Sequence, residues 1–220
     1  MATHRLSHAT RHLAVRAALG VTLAATAVFG AVAPAAADSH QHAGSATETQ
    51  AETSAVSVTA EQVLALARAQ IGTSENAYGG GTKFQKWYAA SQRAAETIAR
   101  DGGNRAAYLN AAWCAMFVSW VGENAGARSQ IGWDAYTVTH AQWFADNGRW
   151  GTTPKPGAVV FFAWNGGKSL SSIDHVGFVV KDNGNGTLTT IEGNTGNGKV
   201  EERVRPTWQV VGYGYPQYTS

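Results

Sequence analysis

The sequence changes its pattern at residues 154–157, Pro-Lys-Pro-Gly. Before this break, apolar residues recur at the three- and four-residue spacing of amphipathic helices. After it, short runs rich in β-branched and aromatic residues alternate with turn signals, of which Asp-Asn-Gly-Asn-Gly at residues 182–186 is the strongest. Helices followed by hairpin-linked strands are typical of an α+β domain. The sequence therefore predicts N-terminal helices packed on a C-terminal antiparallel sheet of about five strands.

The predicted boundaries follow from caps, glycines and apolar runs. Helices are predicted at residues 60–70, 92–100, 110–126 and 139–147, with a shorter helical or turn element at 83–88. Strands are predicted at residues 158–164, 175–181, 187–194, 200–205 and 210–215. Thr59 with Gln62, and Thr139 with Gln142, have the spacing of a capping box.

Residues 1–37 have the three parts of a secretory signal peptide. Three arginines and no acidic residue precede an apolar, Ala-rich run at 17–32, and Ala-Ala-Ala at 35–37 is a small-residue cleavage site. The apolar run is about 16 residues long, whereas a membrane-spanning helix needs roughly 20, so an uncleaved anchor is the weaker alternative. We therefore expect a secreted protein without stable membrane association after cleavage. Residues 38–57 are expected to be a disordered polar linker, and 58–220 one domain.

Charge and metal-ligand content exclude several function classes. Cleavage after residue 37 removes three of the 17 Lys and Arg residues and none of the 15 Asp and Glu residues, which leaves a net charge of −1. A near-neutral domain without a basic cluster has no footprint for nucleic acid. The domain holds one cysteine and two histidines, and it lacks the H-E-x-x-H zinc motif and the D-x-D-x-D-G calcium loop. We therefore expect no nucleic-acid partner, no metal and no cofactor.

Cys114 is the only cysteine in the sequence and therefore cannot form an internal disulfide. It lies near the start of the helix predicted at 110–126, which is apolar on most sides and should be buried. The unpaired N–H groups of a first helical turn favour a thiolate, the nucleophilic form of cysteine. The same groups can stabilise the oxyanion that forms on a carbonyl under attack. A small buried apolar residue is the alternative interpretation of Cys114.

A catalytic thiolate needs an imidazole, and His175 begins a predicted strand. Gly177 follows on the same strand face and leaves room for a substrate or for the approaching helix. Glu192 and Asn194 lie two residues apart on the next strand and should face one side. Either of them could hold the ring of His175 in one orientation.

Other residues fit these roles less well. Asp174 alternates to the opposite strand face, and His140, the rival base, has no acid in place. The chosen residues also have structural interpretations, as a core histidine for His175 and a surface strand carboxylate for Glu192. The order of cysteine, histidine and then acid or amide favours the catalytic interpretation.

Four motifs in order resemble the CHAP family, the cysteine- and histidine-dependent amidohydrolases and peptidases of the wider NlpC/P60-like, papain-like group. They are WCAMFVSW at 113–120, PGAVVFF at 156–162, DHVGFV at 174–179 and IEGN at 191–194, and KFQKWY at 83–88 resembles the family's lead-in. The resemblance covers residues 60–217 and implies a papain-like core. It implies that Cys114 attacks an amide with His175 as base. Glu192 matches the third member, with Asn194 as a further polar residue at the site.

The resemblance also implies a substrate and a place of action. The family's usual substrates are amide bonds of bacterial peptidoglycan, cleaved through an acyl-thioester intermediate. We therefore expect a monomeric, secreted peptidoglycan hydrolase that faces the cell wall. It would be either an N-acetylmuramoyl-L-alanine amidase or a stem or cross-bridge endopeptidase. A thiol acyltransferase and an inactive cell-wall-binding module are the alternatives.

Two features depart from the family's pattern. Ala158 stands where an aspartate often follows Pro-Gly, which affects loop order rather than chemistry. The segment before the cysteine, residues 89–112, is longer than the family's pattern leads us to expect. This segment could form part of the substrate groove or restrict access to it. The oxyanion side chain upstream of the cysteine is therefore not assigned, with Tyr108 and Asn110 as candidates.

Overall fold

The structure, a computed structural model, describes residues 57–220. The predicted signal peptide at 1–37 lies outside the described residues, as does the predicted linker at 38–57 apart from Ser57. None of the helices in the described part of the chain is long and apolar enough to cross a membrane.

The α-helices all precede the strands, so the predicted α+β class is confirmed. The α-helices are α1 (Ala60–Arg68), α2 (Lys83–Ala90), α3 (Gln92–Asp101), α4 (Cys114–Asn124), α5 (Arg128–Ile131) and α6 (Thr137–Asp146). Short 3₁₀ helices lie at Arg105–Asn110, Leu170–Ser172 and Thr207–Gln209. The strands are β1 (Trp150–Gly151), β2 (Val159–Phe162), β3 (His175–Asp182), β4 (Thr187–Thr195), β5 (Lys199–Pro206) and β6 (Val210–Gly214).

The strands form one antiparallel sheet in the order β1-β6-β2-β3-β4-β5. All five predicted strands are present. The sixth, β1, spans two residues, and so short a segment carries no alternation from which to predict it. The register pairs Phe162 with His175 and Gly177 with Glu192, which sets the predicted base and acid on neighbouring strands.

Caps fix some helix boundaries where they are predicted and move others. The capping box of Thr59 and Gln62 is formed at the start of α1. The box predicted at Thr139 is wrong, because α6 begins at Thr137 and has no side-chain cap. The hydroxyl of Thr137 instead donates to the carbonyl of Ile173 at 3.3 Å, a contact from a distant segment.

The predicted start of the central helix at residue 110 is also wrong, since α4 begins at Cys114. Asn104 caps a separate 3₁₀ helix over the preceding segment. Gln85 then donates its side-chain N–H to the carbonyl of Ala111 at 2.9 Å, and Ala111 is extended. Because Ala111 is extended, the helix does not reach back to residue 110, and the cysteine is the first residue of α4.

The main core lies between α4 and strands β3 and β4. Phe117 of α4 meets Phe178 of β3 edge-on, with ring centroids 6.2 Å apart, and both are fully buried. Burial of each ring contributes about 1.5–3 kcal/mol. Gly193 of β4 permits the close approach, because a Cβ there would lie 2.6 Å from the Cβ of Phe117. The helix that carries the cysteine is thereby packed against the strand that carries Glu192.

Strand β2 is buried on both faces, which accounts for its unbroken apolar run. Val159 and Phe161 belong to the main core, whereas Val160 and Phe162 belong to a smaller apolar cluster. Ala158 is buried in the same smaller cluster, so the residue that departs from the family's pattern is a packing residue.

Candidate active site

Cys114 is the first residue of α4 and is 5% exposed. The N–H of Phe117 donates to the carbonyl of Trp113 at 2.8 Å and closes the first turn. The N–H groups before it have no carbonyl to bond within the helix, and they place partial positive charge beside the sulfur. Cys114 also lines a groove of about 210 Å³, together with Tyr108 and Asp174. A substrate carbonyl in this groove would have access to both the sulfur and the helix start.

Trp113, the residue before the cysteine, is held on its face and at its edge. Its fully buried ring stacks on Phe84, with centroids 5.3 Å apart and planes at 19°. Its indole N–H donates to Oε1 of Glu75 at 2.7 Å. A buried indole that rotated would lose both contacts, so Trp113 fixes the position at which α4 begins.

His175 is the first residue of β3 and is 5% exposed. Its Nε2 lies 2.9 Å from Oε2 of Glu192, and Cys114 is close enough to raise the pKa of the ring. Since Nε2 is occupied, Nδ1 is the ring nitrogen available to the sulfur. Burial by itself lowers the pKa of His175, but the interactions with Cys114 and Glu192 outweigh burial and raise the pKa to about 9. The imidazole therefore keeps its proton at neutral pH.

Glu192 is fully buried, and both of its carboxylate oxygens are bonded. The hydroxyl of Thr190 donates to Oε1 at 2.6 Å, and the guanidinium of Arg205 donates to both oxygens. Burial raises the pKa of this carboxyl, but the hydrogen bonds from His175 and Arg205 outweigh burial and lower the pKa to about 2. Glu192 is therefore an anion at neutral pH and keeps a proton on Nε2 of the ring.

Gly177 makes room for the Glu192 side chain rather than for a substrate or a helix. The two residues pair across β3 and β4, and a Cβ at position 177 would lie 2.7 Å from Cγ of Glu192. The interpretation of Gly177 from the sequence is therefore wrong about which group fills the space. A side chain at this position would push Glu192 away from His175.

Asn194 contacts the residue before the nucleophile rather than the imidazole. The β4–β5 register shifts after Glu192, and Asn194 has a left-handed backbone with φ of 54°. These features break the strand alternation from which its direction is predicted. In the amide orientation that satisfies both of its polar atoms, it donates to Glu75 Oε1 at 3.3 Å and accepts from the N–H of Trp113 at 3.2 Å. Within the described part of the chain, its side chain makes no hydrogen bond to His175.

The geometry brings three of the four predicted residues together, and a family comparison covers the same stretch. The CHAP domain family model matches residues 105–194, which include Cys114, His175 and Glu192. Residues 105–194 are a CHAP domain. No curated protein matches the chain significantly. CHAP domains are generally cysteine- and histidine-dependent amidohydrolases or peptidases, a class that includes peptidoglycan hydrolases.

The rival base of the CHAP domain, His140, lies in the core. Its Nε2 is 2.6 Å from the carbonyl oxygen of Ile131, and its ring stacks on Phe144 at 5.7 Å. Burial lowers the pKa of His140, so the ring is neutral at neutral pH. An enclosed imidazole that is bonded to a backbone carbonyl is not within reach of a nucleophile, so His140 fits a packing role.

The two candidates for an oxyanion side chain differ in position. Tyr108 lines the groove beside Cys114, and its hydroxyl is 2.6 Å from the hydroxyl of Thr97. Asn110 lies against Gly80, where a Cβ would meet the Asn110 side-chain oxygen at 2.1 Å. Of the two, only Tyr108 lies where it could approach a substrate in the groove of the CHAP domain.

Sequence reasoning missed three residues that support this site. Glu75 bonds to Trp113 and Asn194, Trp164 lies 5.0 Å from the His175 ring, and Arg205 bonds to Glu192. The first and last lie outside the stretch matched to the CHAP domain. Finding Arg205 from sequence would require the β4–β5 register, because only that register brings its strand beside the acid. Among residues 57–220, no three His, Cys, Asp or Glu side chains are grouped in a way that could hold a metal ion.

Proposed function

We propose that the chain is a secreted peptidoglycan hydrolase that cleaves an amide bond. It acts either as an N-acetylmuramoyl-L-alanine amidase or as an endopeptidase of the stem or cross-bridge. The observation that carries the proposal is the hydrogen bond from His175 to Glu192, with Cys114 near the imidazole and beside a groove open to a substrate. The CHAP domain supports chemistry of the amidase or peptidase type. The signal-peptide pattern at residues 1–37 supports action at the cell wall.

In the first half of the proposed reaction, the Cys114 thiolate attacks the amide carbonyl carbon and forms a C–S bond. The carbonyl electron pair moves to oxygen, where the free N–H groups of the first turn of α4 stabilise the negative charge. Protonated His175 then donates its Nδ1 proton to the leaving nitrogen as the C–N bond breaks. The amine departs and leaves an acyl-thioester on Cys114.

In the second half, water attacks the thioester carbonyl while neutral His175 accepts one of its protons. The C–S bond breaks, the carboxylic acid is released, and the sulfur leaves as a thiolate beside the reprotonated imidazole. Glu192 remains ionised throughout and holds the ring through Nε2, so Nδ1 stays directed at the sulfur and the leaving group. Asn194 has no part in these proton transfers, and we propose that it positions the start of α4.

Bacterial peptidoglycan is the partner we propose, with the protein acting as a monomer. All three reacting or orienting side chains come from one chain, so the site needs no second copy. The groove is lined mostly by aromatic and small side chains, and Asp174 is the one acidic residue among its lining residues. Such a lining suits a peptide with few negative charges near the scissile amide.

Digestion of purified peptidoglycan tests the proposed function. An amidase would release peptides with a new N-terminal L-alanine, whereas an endopeptidase would create a new amine and carboxyl group within the peptides. Mass spectrometry of the soluble fragments distinguishes these products, and Cys114→Ala is the inactive control. Transfer of the acyl group to an added amine in place of water would indicate an acyltransferase. Binding to the wall without any product would indicate a binding module, and either outcome would overturn the proposal.

A further inference from the structure

Arg205 of β5 donates hydrogen bonds to both oxygens of the buried Glu192 carboxylate. Its Nε donates to Oε1 at 2.9 Å and to Oε2 at 3.2 Å, and its Nη2 donates to Oε2 at 2.6 Å. The same Nη2 lies 2.9 Å from the hydroxyl of Thr195. A planar guanidinium bound at two points restricts rotation of the carboxylate, which a single-point contact would allow.

The guanidinium of Arg205 also reaches the aromatic ring that covers the imidazole. Its Cζ lies 4.8 Å from the centre of the Trp164 ring, a distance suited to a cation–π interaction. The centre of the Trp164 ring lies 5.0 Å from the centre of the His175 ring, and the two ring planes are at 32°. The Phe162 ring also stacks on the Trp164 ring, with centres 5.8 Å apart. Trp164 is 39% exposed, so it separates the imidazole from solvent on that side.

His175, Glu192, Arg205 and Trp164 therefore form a closed ring of contacts. Glu192 holds the edge of the imidazole, Trp164 covers its face, and Arg205 is the side chain that touches both of these supports. We propose that Arg205 is a positioning residue, which sets the orientation of the His175 imidazole through Glu192 and Trp164. The proposal rests on the proposed function only in taking His175 as the base. Arg205 lies outside residues 105–194, so the family match does not assign it this role.

The positive charge of Arg205 has a separate, measurable effect. Facing the imidazole are Cys114 from α4 and Glu192 from β4, with Asp174 directly before it in the chain. Glu201 lies opposite Glu192 in the strand register, and its carboxylate is paired with Arg203. Without Arg205, the charge of Glu192 would act on the imidazolium with no neighbouring cation to offset it. His175 would then release its proton at a higher pH.

Three variants separate the orientation from the charge. Arg205→Met removes both the charge and the two-point hydrogen bonding of the guanidinium, here called the fork. Arg205→Lys keeps the charge without the fork. Arg203→Met is the matched control on the same strand. The Arg203 side chain bonds to the half-buried Glu201 and does not touch the ring of contacts. Circular dichroism and thermal melting of each purified chain show whether it is folded.

Two readouts follow the two effects. The first is the alkaline limit of alkylation, which is the pH above which iodoacetate modifies Cys114 more slowly. The imidazolium attracts the iodoacetate anion, and this attraction is lost when His175 deprotonates. The second is the turnover of peptidoglycan. We expect Arg205→Met to move the alkaline limit of alkylation upward by about half a pH unit or more and to lower turnover about tenfold or more. Arg205→Lys should restore the alkaline limit but not turnover, and Arg203→Met should change neither.

The proposal is overturned if folded Arg205→Met keeps both the wild-type alkaline limit and the wild-type turnover. It is also overturned if Arg205→Lys recovers turnover completely, because the fork would then be unnecessary. Should Arg205→Met fail to fold, the turnover and alkaline limit of Arg205→Lys decide between these outcomes. Alkylation needs no peptidoglycan, so a wild-type chain without hydrolytic activity would refute the proposed function while the alkaline limit still tested Arg205.

Discussion

Raising the pH from 6 to 10 should weaken the fold, because the protonated form of His175 is stabilised only in the folded state. Burial opposes the charge, but the interactions with Cys114 and Glu192 outweigh it and raise the pKa of His175 from 6.5 to about 9. A group with a folded pKa above its unfolded pKa contributes stability that is complete below the unfolded value, here 6.5. The contribution is lost as the pH rises through 9. A rise of this size corresponds to about 3 kcal/mol.

Urea unfolding at pH 6 and pH 10 measures this contribution when the chain is compared with His175→Gln. Glutamine has a side-chain N–H but does not titrate. All other groups are present in both proteins, so the difference between their unfolding free energies reports His175 together with the interactions it makes. We expect the advantage of the wild-type chain to shrink by about 3 kcal/mol between pH 6 and pH 10.

A difference that stays constant within about 0.5 kcal/mol across this range would refute the reasoning. It would mean that no anion stabilises the imidazolium, contrary to its hydrogen bond with the Glu192 carboxylate. The acid side of the profile has the opposite sign. The pKa of Glu192 is lowered from 4.5 to about 2, so its contribution is present above 4.5 and is lost as the pH falls through 2. The two pKa shifts express one shared interaction, and both contributions are complete between pH 4.5 and 6.5.

Three substitutions give further expectations. Cys114→Ala should abolish peptidoglycan digestion while thermal melting shifts by no more than a few degrees; residual digestion would exclude the thiol as nucleophile. Gly193→Ala should destabilise the chain by about 1–3 kcal/mol in urea, because the new Cβ would lie 2.6 Å from the Cβ of Phe117; an unchanged midpoint would show that α4 can move away freely. Asn194→Ala should lower turnover about tenfold through loss of its bond to the N–H of Trp113. Its alkaline limit of alkylation should match the wild type, and a displaced limit would place Asn194 beside the imidazole instead.

Much of the fold follows from local patterns. The capping box at Thr59 and the turn after Asp182 are set by residues a few positions apart, and both are found where they are predicted. The start of α4 is decided otherwise. Gln85, 26 residues earlier in the chain, bonds to the carbonyl of the extended Ala111, and α4 begins three residues later at Cys114. That contact leaves no local pattern in the sequence, which explains the error in the predicted boundary.

The site also has some features that nearby residues predict and others that depend on distant contacts. Residue type and strand alternation narrow the partner of His175 to Glu192 or Asn194, but they do not choose between the two. The choice depends on a register shift after Glu192 and on the left-handed backbone of Asn194. These features turn Asn194 toward Trp113 and leave the carboxylate facing the ring.

Local sequence patterns were enough to give the kinds of elements and their order, the one thiol near a helix start, and the chemistry of the residues available to it. Each of these depends on neighbours along the chain. Only the tertiary structure shows that Glu192 rather than Asn194 bonds to His175. It also shows that Arg205, on a strand outside the family match, bonds to Glu192. Packing between distant segments sets the strand register and therefore which side chains come within bonding distance. Neither can be read from residues that are neighbours along the chain.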